Sequence, residues 1–319
     1  MALRSNIQHY PRIQEEGNRF IGFFDDSKFK SHTIKISIET FKRIIQEAIT
    51  NANLKSSRAI LNIEEISDPK KINEILKKGG KELFKYFIKY CGDPAATAYD
   101  CLNIHYSKVA KEQFRNRTIQ KERMNSGWRY QFIARDTAIE SGRFKSISDI
   151  GAAEADFNAI LLEKNGNGQI NIYVSVKNRA NTVGGQDFPK AIRALEDVAK
   201  NDKNRTGPYL CVFGIAMDKG QRIIRLESKT KQPYSINTEV WLSDFFWPFF
   251  ANYNYDEVSH FVLQVLLEQN KQSSLSITPP QELIESFGDV CKEYGLINDE
   301  GLFNDAYKLV DLFCGKLKK

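Results

Sequence analysis

Histidine is scarce in this chain: four residues in 319, and His9, His32, His105 and His260 stand far apart in unrelated contexts. No histidine–metal cluster or Ser-His nucleophile can be assembled from that spacing. The five cysteines, Cys91, Cys101, Cys211, Cys291 and Cys314, are odd in number and contain no CxxC pair. They read as reduced core thiols, not as a disulfide framework or a zinc site. A GxxxxGK[ST] loop is absent, so no nucleotide cofactor is expected. No stretch approaches about eighteen apolar residues, and MALRSNIQHYPRIQEEG lacks an apolar leader segment. The expectation is no membrane association and a cytoplasmic location.

What is present is ordinary in amount and uneven in placement. A hydrophobic fraction of 41% and a charged fraction of 27% suit a soluble globular protein with a sizeable core. The net charge of +6 permits a polyanionic partner without demanding one. Lys111, Arg115, Arg117, Lys121, Arg123, Arg129 and Arg135 crowd one stretch, with Phe114, Trp128 and Tyr130 among them. That stretch is either a nucleic-acid-holding surface or a solvated helix face.

Three regions follow from the patterning. Residues 1–126 read as mostly helical. In SIETFKRIIQEAITNANL the positions Phe41, Ile44, Ile45, Ala48 and Ile49 carry the three-and-four spacing of an amphipathic helix, with Ser37 as its cap. KKINEILKK and KELFKYFIKYCG read as two helices separated by Gly79-Gly80. Residues 127–236 read as an α/β core. GWRYQFIARDTAIESG is a helix stopped at Ser141-Gly142. Two strand-like runs, ISDIGAAEADFNAILLE and QINIYVSVKNR, meet at the turn Lys164-Asn165-Gly166-Asn167-Gly168. GGQDFPKAIRALEDVAK is a helix with Ile192, Leu195 and Val198 on one face, and GPYLCVFGIAMD suits a strand buried on both sides. A helix between those last two strands implies a parallel crossover. RIIRLES reads as a further strand. Residues 237–319, starting with VWLSDFFWPFF, read as helical again and packed on the core, and NKQSSLSITPP reads as an exposed linker. The aromatic run Phe245, Phe246, Trp247, Phe249 and Phe250 is core or dimer packing, with base stacking as the lesser alternative.

The chemistry concentrates at Asp156 in EADFNAILLE and at Ser175-Val176-Lys177 in the next apolar run. In a strand, Ser175 and Lys177 share one face while Val176 points to the other. A lysine at the end of such a strand is costly to bury without a partner, and a carboxylate on the neighbouring strand supplies one. In this helix–strand–strand–helix–strand order, these residues resemble the PD-(D/E)xK nuclease superfamily, type II restriction endonucleases in particular, over about residues 127–217. The resemblance implies a mixed α/β fold: a restriction-endonuclease-like central mixed sheet flanked by helices, with helical N- and C-terminal regions. It implies that Asp156 holds magnesium and that Lys177 orients the attacking water. Ala155 stands where the family carries proline, and Ser175 where it carries an acid. A serine hydroxyl is a poor magnesium ligand, so the missing acid is sought in Glu154, or in Asp187 or Glu196 of the following helix. The family's upstream helix glutamate has Gln131 or Glu140 as its nearest options.

The resemblance places DNA beside this centre. Asn178, Arg179 and Asn181 leave the active strand in a loop suited to reading base edges, or in an ordinary polar turn. Arg115, Arg117, Lys121 and Arg123 would hold the duplex. The expected activity is that of a magnesium-dependent type II restriction endonuclease on double-stranded DNA, as a homodimer matching a two-fold site. The alternatives are a catalytically inactive DNA-binding protein of the same core, and a repair or junction nuclease. A purely structural account also exists, with Asp156 as a turn residue starting a strand and Lys177 as a plain strand-end lysine.

Overall fold

A computed structural model describes residues 14–15, 19–20, 23–57, 68–179, 188–227, 229–230, 232–269 and 278–317. The chain forms a mixed α/β protein of two compact units, each built from discontinuous stretches: residues 1–52 with 126–270, and residues 53–125 with 271–319. Two helices, α1 (Ile38–Ser57) and α4 (Tyr106–Glu140), contribute to both units.

The first unit is organised by a six-stranded sheet. Its strands are β3 (Ser146–Asp149), β4 (Phe157–Leu162), β5 (Gln169–Lys177), β6 (Tyr209–Ile215), β7 (Arg222–Ile223) and β8 (Thr238–Trp241), in the spatial order β3-β4-β5-β6-β8-β7. The two-residue strands β1 (Gln14–Glu15) and β2 (Arg19–Phe20) pair separately. Strands β3, β4 and β5 form an antiparallel meander, and the turn at residues 163–168 closes the β4–β5 hairpin as its Asn-Gly sequence predicts. Helix α5 (Phe188–Asn201) then carries the chain to β6, parallel to β5 with Ser175 opposite Phe213 and Lys177 opposite Ile215. The parallel crossover expected from the sequence is present.

Burial on both faces explains why β6 is apolar throughout and why the interior of β5 is mostly so, with Asn171 and Ser175 as its polar exceptions. On one face Ile170, Ile172, Val174 and Val176 pack with Phe157, Ala159 and Leu161 beneath α1, the latter half of α4, α6 (Ser243–Ala251) and α7 (Tyr255–Glu268). On the other, Tyr173, Tyr209, Cys211 and Phe213 pack against Phe188, Ile192, Leu195 and Ala199 of α5. The aromatic run of α6 is core: Phe246, Trp247 and Phe250 are fully buried, and Trp247 Nε1 donates to the Ala216 carbonyl at 2.8 Å. A base-stacking platform is thereby removed.

The second unit is helical. Helix α2 (Pro69–Lys89) packs on α8 (Gln281–Glu293), joined by α3 (Pro94–Cys101) and α9 (Ala306–Phe313) around Leu83, Phe84, Phe87, Phe287 and Leu309.

Several expectations need correction. The three-part division does not coincide with the two units, because α8 and α9 share a core with α2. Gly79-Gly80 separates nothing: α2 runs continuously through it. A Cβ on Gly80 would lie 2.6 Å from the Leu283 carbonyl oxygen and 2.6 Å from Ser286 Cβ, so the glycine admits α8. The run before Asp156 contains a separate strand, β3, and a bend. RIIRLES yields only the two residues of β7 and a bridge from Leu226 to Pro233. The segment read as helical from 237 opens with strand β8, whose β-branched and aromatic residues suit the buried sheet.

Candidate active site at the end of strand β5

The candidate residues lie where β5 finishes, at the carboxyl ends of the parallel strands β5, β6 and β8. Crevices that bind ligands form there in open α/β sheets. Asp156 sits in a bend immediately before β4 and grips β5 on both sides of Ser175. Its backbone N–H donates to the Val174 carbonyl at 2.8 Å, and its Oδ2 accepts from the Val176 N–H at 2.6 Å. Ser175 is buried. It lies on the sheet face that β5 presents to α5, since Tyr173 packs there while Val174 and Val176 pack on the other side. Lys177 follows on that face two positions later, about 6.6 Å along the strand. It is half-buried, and no carboxylate among the described residues pairs with its ammonium. Strand register thus sets Asp156 level with Ser175, with Lys177 two positions further along β5.

The proposed substitutes for the missing acid fare differently. Glu196 is buried under the opposite end of the sheet. Its Oε1 accepts from the Ser235 hydroxyl and from Thr238 Oγ1 at 2.9 Å, and its Oε2 meets Lys200 Nζ at 3.2 Å. Thr238 is on β8, three strands across the sheet from β4 and Asp156, a lateral separation of about 14 Å. Glu196 therefore anchors the segment entering β8, with both of its carboxylate oxygens engaged there. Glu154 is exposed in the bend and lines an open groove with Ile150, Asp197, Val198, Asn201 and Asp202, a set containing neither Asp156 nor Lys177. The strand alternation that would align Glu154 with Asp156 is broken, because residue 154 is not in a strand. Asp187 lies outside the described residues, as does Asn181. Among the described residues no three His, Cys, Asp or Glu side chains gather as a metal cluster.

Beyond Lys177 the chain divides its side chains between inside and outside. The Asn178 amide approaches Gly127 of α4, about where a Cβ there would lie 3.8 Å away, and its Oδ1 is buried without a hydrogen-bond partner. Arg179 points outward, 61% exposed, with Nη1 3.1 Å from Asp218 Oδ1. Gln131 lies one turn along α4 from Gly127, on the same face. Glu140 lies more than three turns away, where it faces Arg43 at 3.8 Å.

The basic stretch does not form one surface. Arg115, Arg117, Lys121 and Arg123 all lie in the part of α4 that belongs to the second unit. Arg117 and Lys121 share a face and are half-buried, while Arg115 and Arg123 are exposed; at 100° per residue Arg115 is about 160° from Arg117 around the axis. Burial pulls the Arg117 and Lys121 values below the usual range, opposed for Arg117 by Glu82 and Tyr86. Arg135 is engaged by Asp136 at 2.6 Å and by both oxygens of Asp149 at 2.9 and 3.0 Å. Sequence reading misses the Asp156–Val176 bond. An aspartate immediately before an apolar strand is its only trace.

No protein-family model matches this sequence, and no curated protein matches it. Among the described residues no helix is long and apolar enough to cross a membrane.

Proposed function

We propose that this chain is a magnesium-dependent endonuclease acting on double-stranded DNA, of the restriction type, working as a homodimer on a two-fold site. The observation that carries this reading is the placement of Asp156 against Ser175 on the strand that ends in Lys177, within the element order α4, β3, β4, β5, α5, β6. The donor set fits magnesium in its sparse mode. That ion is commonly held through one or two carboxylates, with water and substrate phosphate completing the shell. Asp156 would hold it, beside the Ser175 hydroxyl, and the ion supplies charge neutralisation at the phosphate and acidifies a bound water. Lys177, an ammonium on a strand fixed from both sides, orients the scissile phosphate and the attacking water. Arg179 extends from the same strand end to contact the duplex.

A second reading has a specific observation behind it. One oxygen of Asp156 is already taken by the Val176 N–H, and Glu196 is committed elsewhere. That arrangement favours a DNA-binding protein without cleavage.

One assay separates them. Supercoiled plasmid incubated with the protein and magnesium should give discrete fragments, lost in Asp156→Asn and Lys177→Met. Salt-sensitive DNA binding with intact plasmid under magnesium or manganese would establish the second reading instead.

A further inference from the structure

A strongly basic surface lies outside the basic stretch of α4, on helix α2. Helix α2 carries Lys70, Lys71, Lys77, Lys78, Lys81, Lys85 and Lys89, all exposed. At 100° per residue these seven fall within an arc of about 120°, and they extend along about 29 Å of the axis. The only acids of the helix are Glu74, within that arc, and Glu82, at its edge. Glu82 is already matched by Lys85 at 2.8 Å and held below the usual carboxylate range chiefly by that bond, with Arg117 and Lys78 adding to it. The other six ammonium groups have no ion-pair partner among the described residues. A solvated helix face normally alternates sign, because opposite charges four residues apart stabilise it and like charges cost about as much. Here Lys77, Lys81, Lys85 and Lys89 follow one another at that spacing.

We infer that this face of α2 is a docking surface for the phosphate backbone of double-stranded nucleic acid. Three features select that partner. The apolar face of α2, Leu76, Leu83, Phe84 and Phe87, is buried in its own unit against α8, so the helix has no apolar side to insert into a lipid surface. No aromatic residue falls inside the lysine arc; Tyr86 and Tyr90 pack on each other in a tilted pair beyond it, and only Lys89, at the end of the helix, reaches over a ring, that of Tyr90 at 5.4 Å. Single strands are held by stacking on interleaved aromatics. Finally, the close approach at Gly80 seats α2 on α8, and Lys77, Lys81, Lys85 and Lys89 rise about 6 Å at each step while winding about 40° around the axis. A duplex offers a phosphate charge about every 1.7 Å of its axis, enough to meet each of these lysines.

Docking of this kind needs no catalysis, so binding alone tests it. The full chain is titrated against a fluorescently labelled mixed-sequence duplex in EDTA, over a range of salt. The triple variant Lys77→Gln, Lys81→Gln, Lys85→Gln should reduce the slope of log affinity against log salt by about 2.7, at about 0.9 for each phosphate no longer neutralised. The corresponding arginine triple should keep the slope. A control triple of exposed lysines elsewhere, Lys145→Gln, Lys164→Gln, Lys203→Gln, removes the same net charge and should change it by less than about 0.9, the share of a single phosphate. Equal effects of the two glutamine triples would reduce the surface to a net-charge effect and overturn the inference. An unchanged slope in the α2 triple with its helical circular dichroism intact would also overturn it. So would loss of binding to phosphatidylserine vesicles while duplex binding persists. Loss of plasmid cleavage in Asp156→Asn with duplex binding retained would leave both readings standing; absence of cleavage altogether would fail the nuclease reading alone.

Discussion

The Asp156 carboxylate and the Val176 N–H, 2.6 Å apart, tie the bend before β4 to the strand bearing Lys177. A hydrogen bond to a charged group contributes about 1.5–3 kcal/mol when well placed. Asp156→Asn retains an acceptor for Val176, so its urea midpoint should stay near that of the parent while cleavage disappears. Asp156→Ala should lose both, with a stability loss of about 1–3 kcal/mol. If Asp156→Asn cleaves normally, the carboxylate serves the strand and not the chemistry.

Glu196 gives a contrasting case. It satisfies the Ser235 and Thr238 hydroxyls inside the protein, so Glu196→Ala should destabilise the fold by about 1–3 kcal/mol through the unpaired donors it leaves. The magnesium concentration giving half-maximal cleavage should not move in Glu196→Gln. A several-fold rise in that concentration would return Glu196 to the metal site.

Gly80→Ala tests the α2–α8 contact. On helix propensity alone alanine should stabilise by about 1 kcal/mol. The new methyl would meet the Leu283 carbonyl and Ser286 at 2.6 Å, and forcing it in costs about 1–3 kcal/mol. The packing cost should prevail, lowering the midpoint of urea unfolding followed by helical circular dichroism; a raised midpoint would refute the contact.

His32 sets an acid limit. Burial, and then the Arg143 guanidinium beside it, hold its imidazole below the usual value of 6.5, partly offset by the Pro248 and Phe249 carbonyls. Its Nε2 meets the Pro248 oxygen at 2.9 Å, and its Nδ1 is buried without a partner. The folded protein therefore binds this proton less tightly than the unfolded chain does. The stability is fully present above about pH 6.5 and is lost as pH falls below it toward the lower folded value. Melting temperature should drop between about pH 7 and pH 5, and the drop should shrink in His32→Gln.

The parts of this fold legible in sequence are those written in local pattern. The Asn-Gly hairpin, the all-apolar β6 and the amphipathic α1 and α5 each announce themselves within a few residues. Strand β8 does not, because Thr238–Trp241 is too short to show a period before the aromatic helix begins. Gly79-Gly80 misleads because its reason, the approach of α8, lies far away along the chain. At the site, alternation along β5 correctly places Ser175 and Lys177 on one face. It cannot place Glu154 or Glu196, whose positions depend on a bend and on the direction in which α5 returns across the sheet. The charge of α2 is in plain view, but its confinement to one arc emerges only when the helix is continuous through its glycines.

The margins of the large sheet constrain how two copies could associate. One border is the four-residue β3, where Asp149 is clasped by Arg135, and the other is the two-residue β7. Borders this brief offer too few free amides and carbonyls to template a neighbouring chain. Among the described residues, helices and loops are left as the surfaces through which two copies could meet, and the end of β5 stays clear of any such strand pairing.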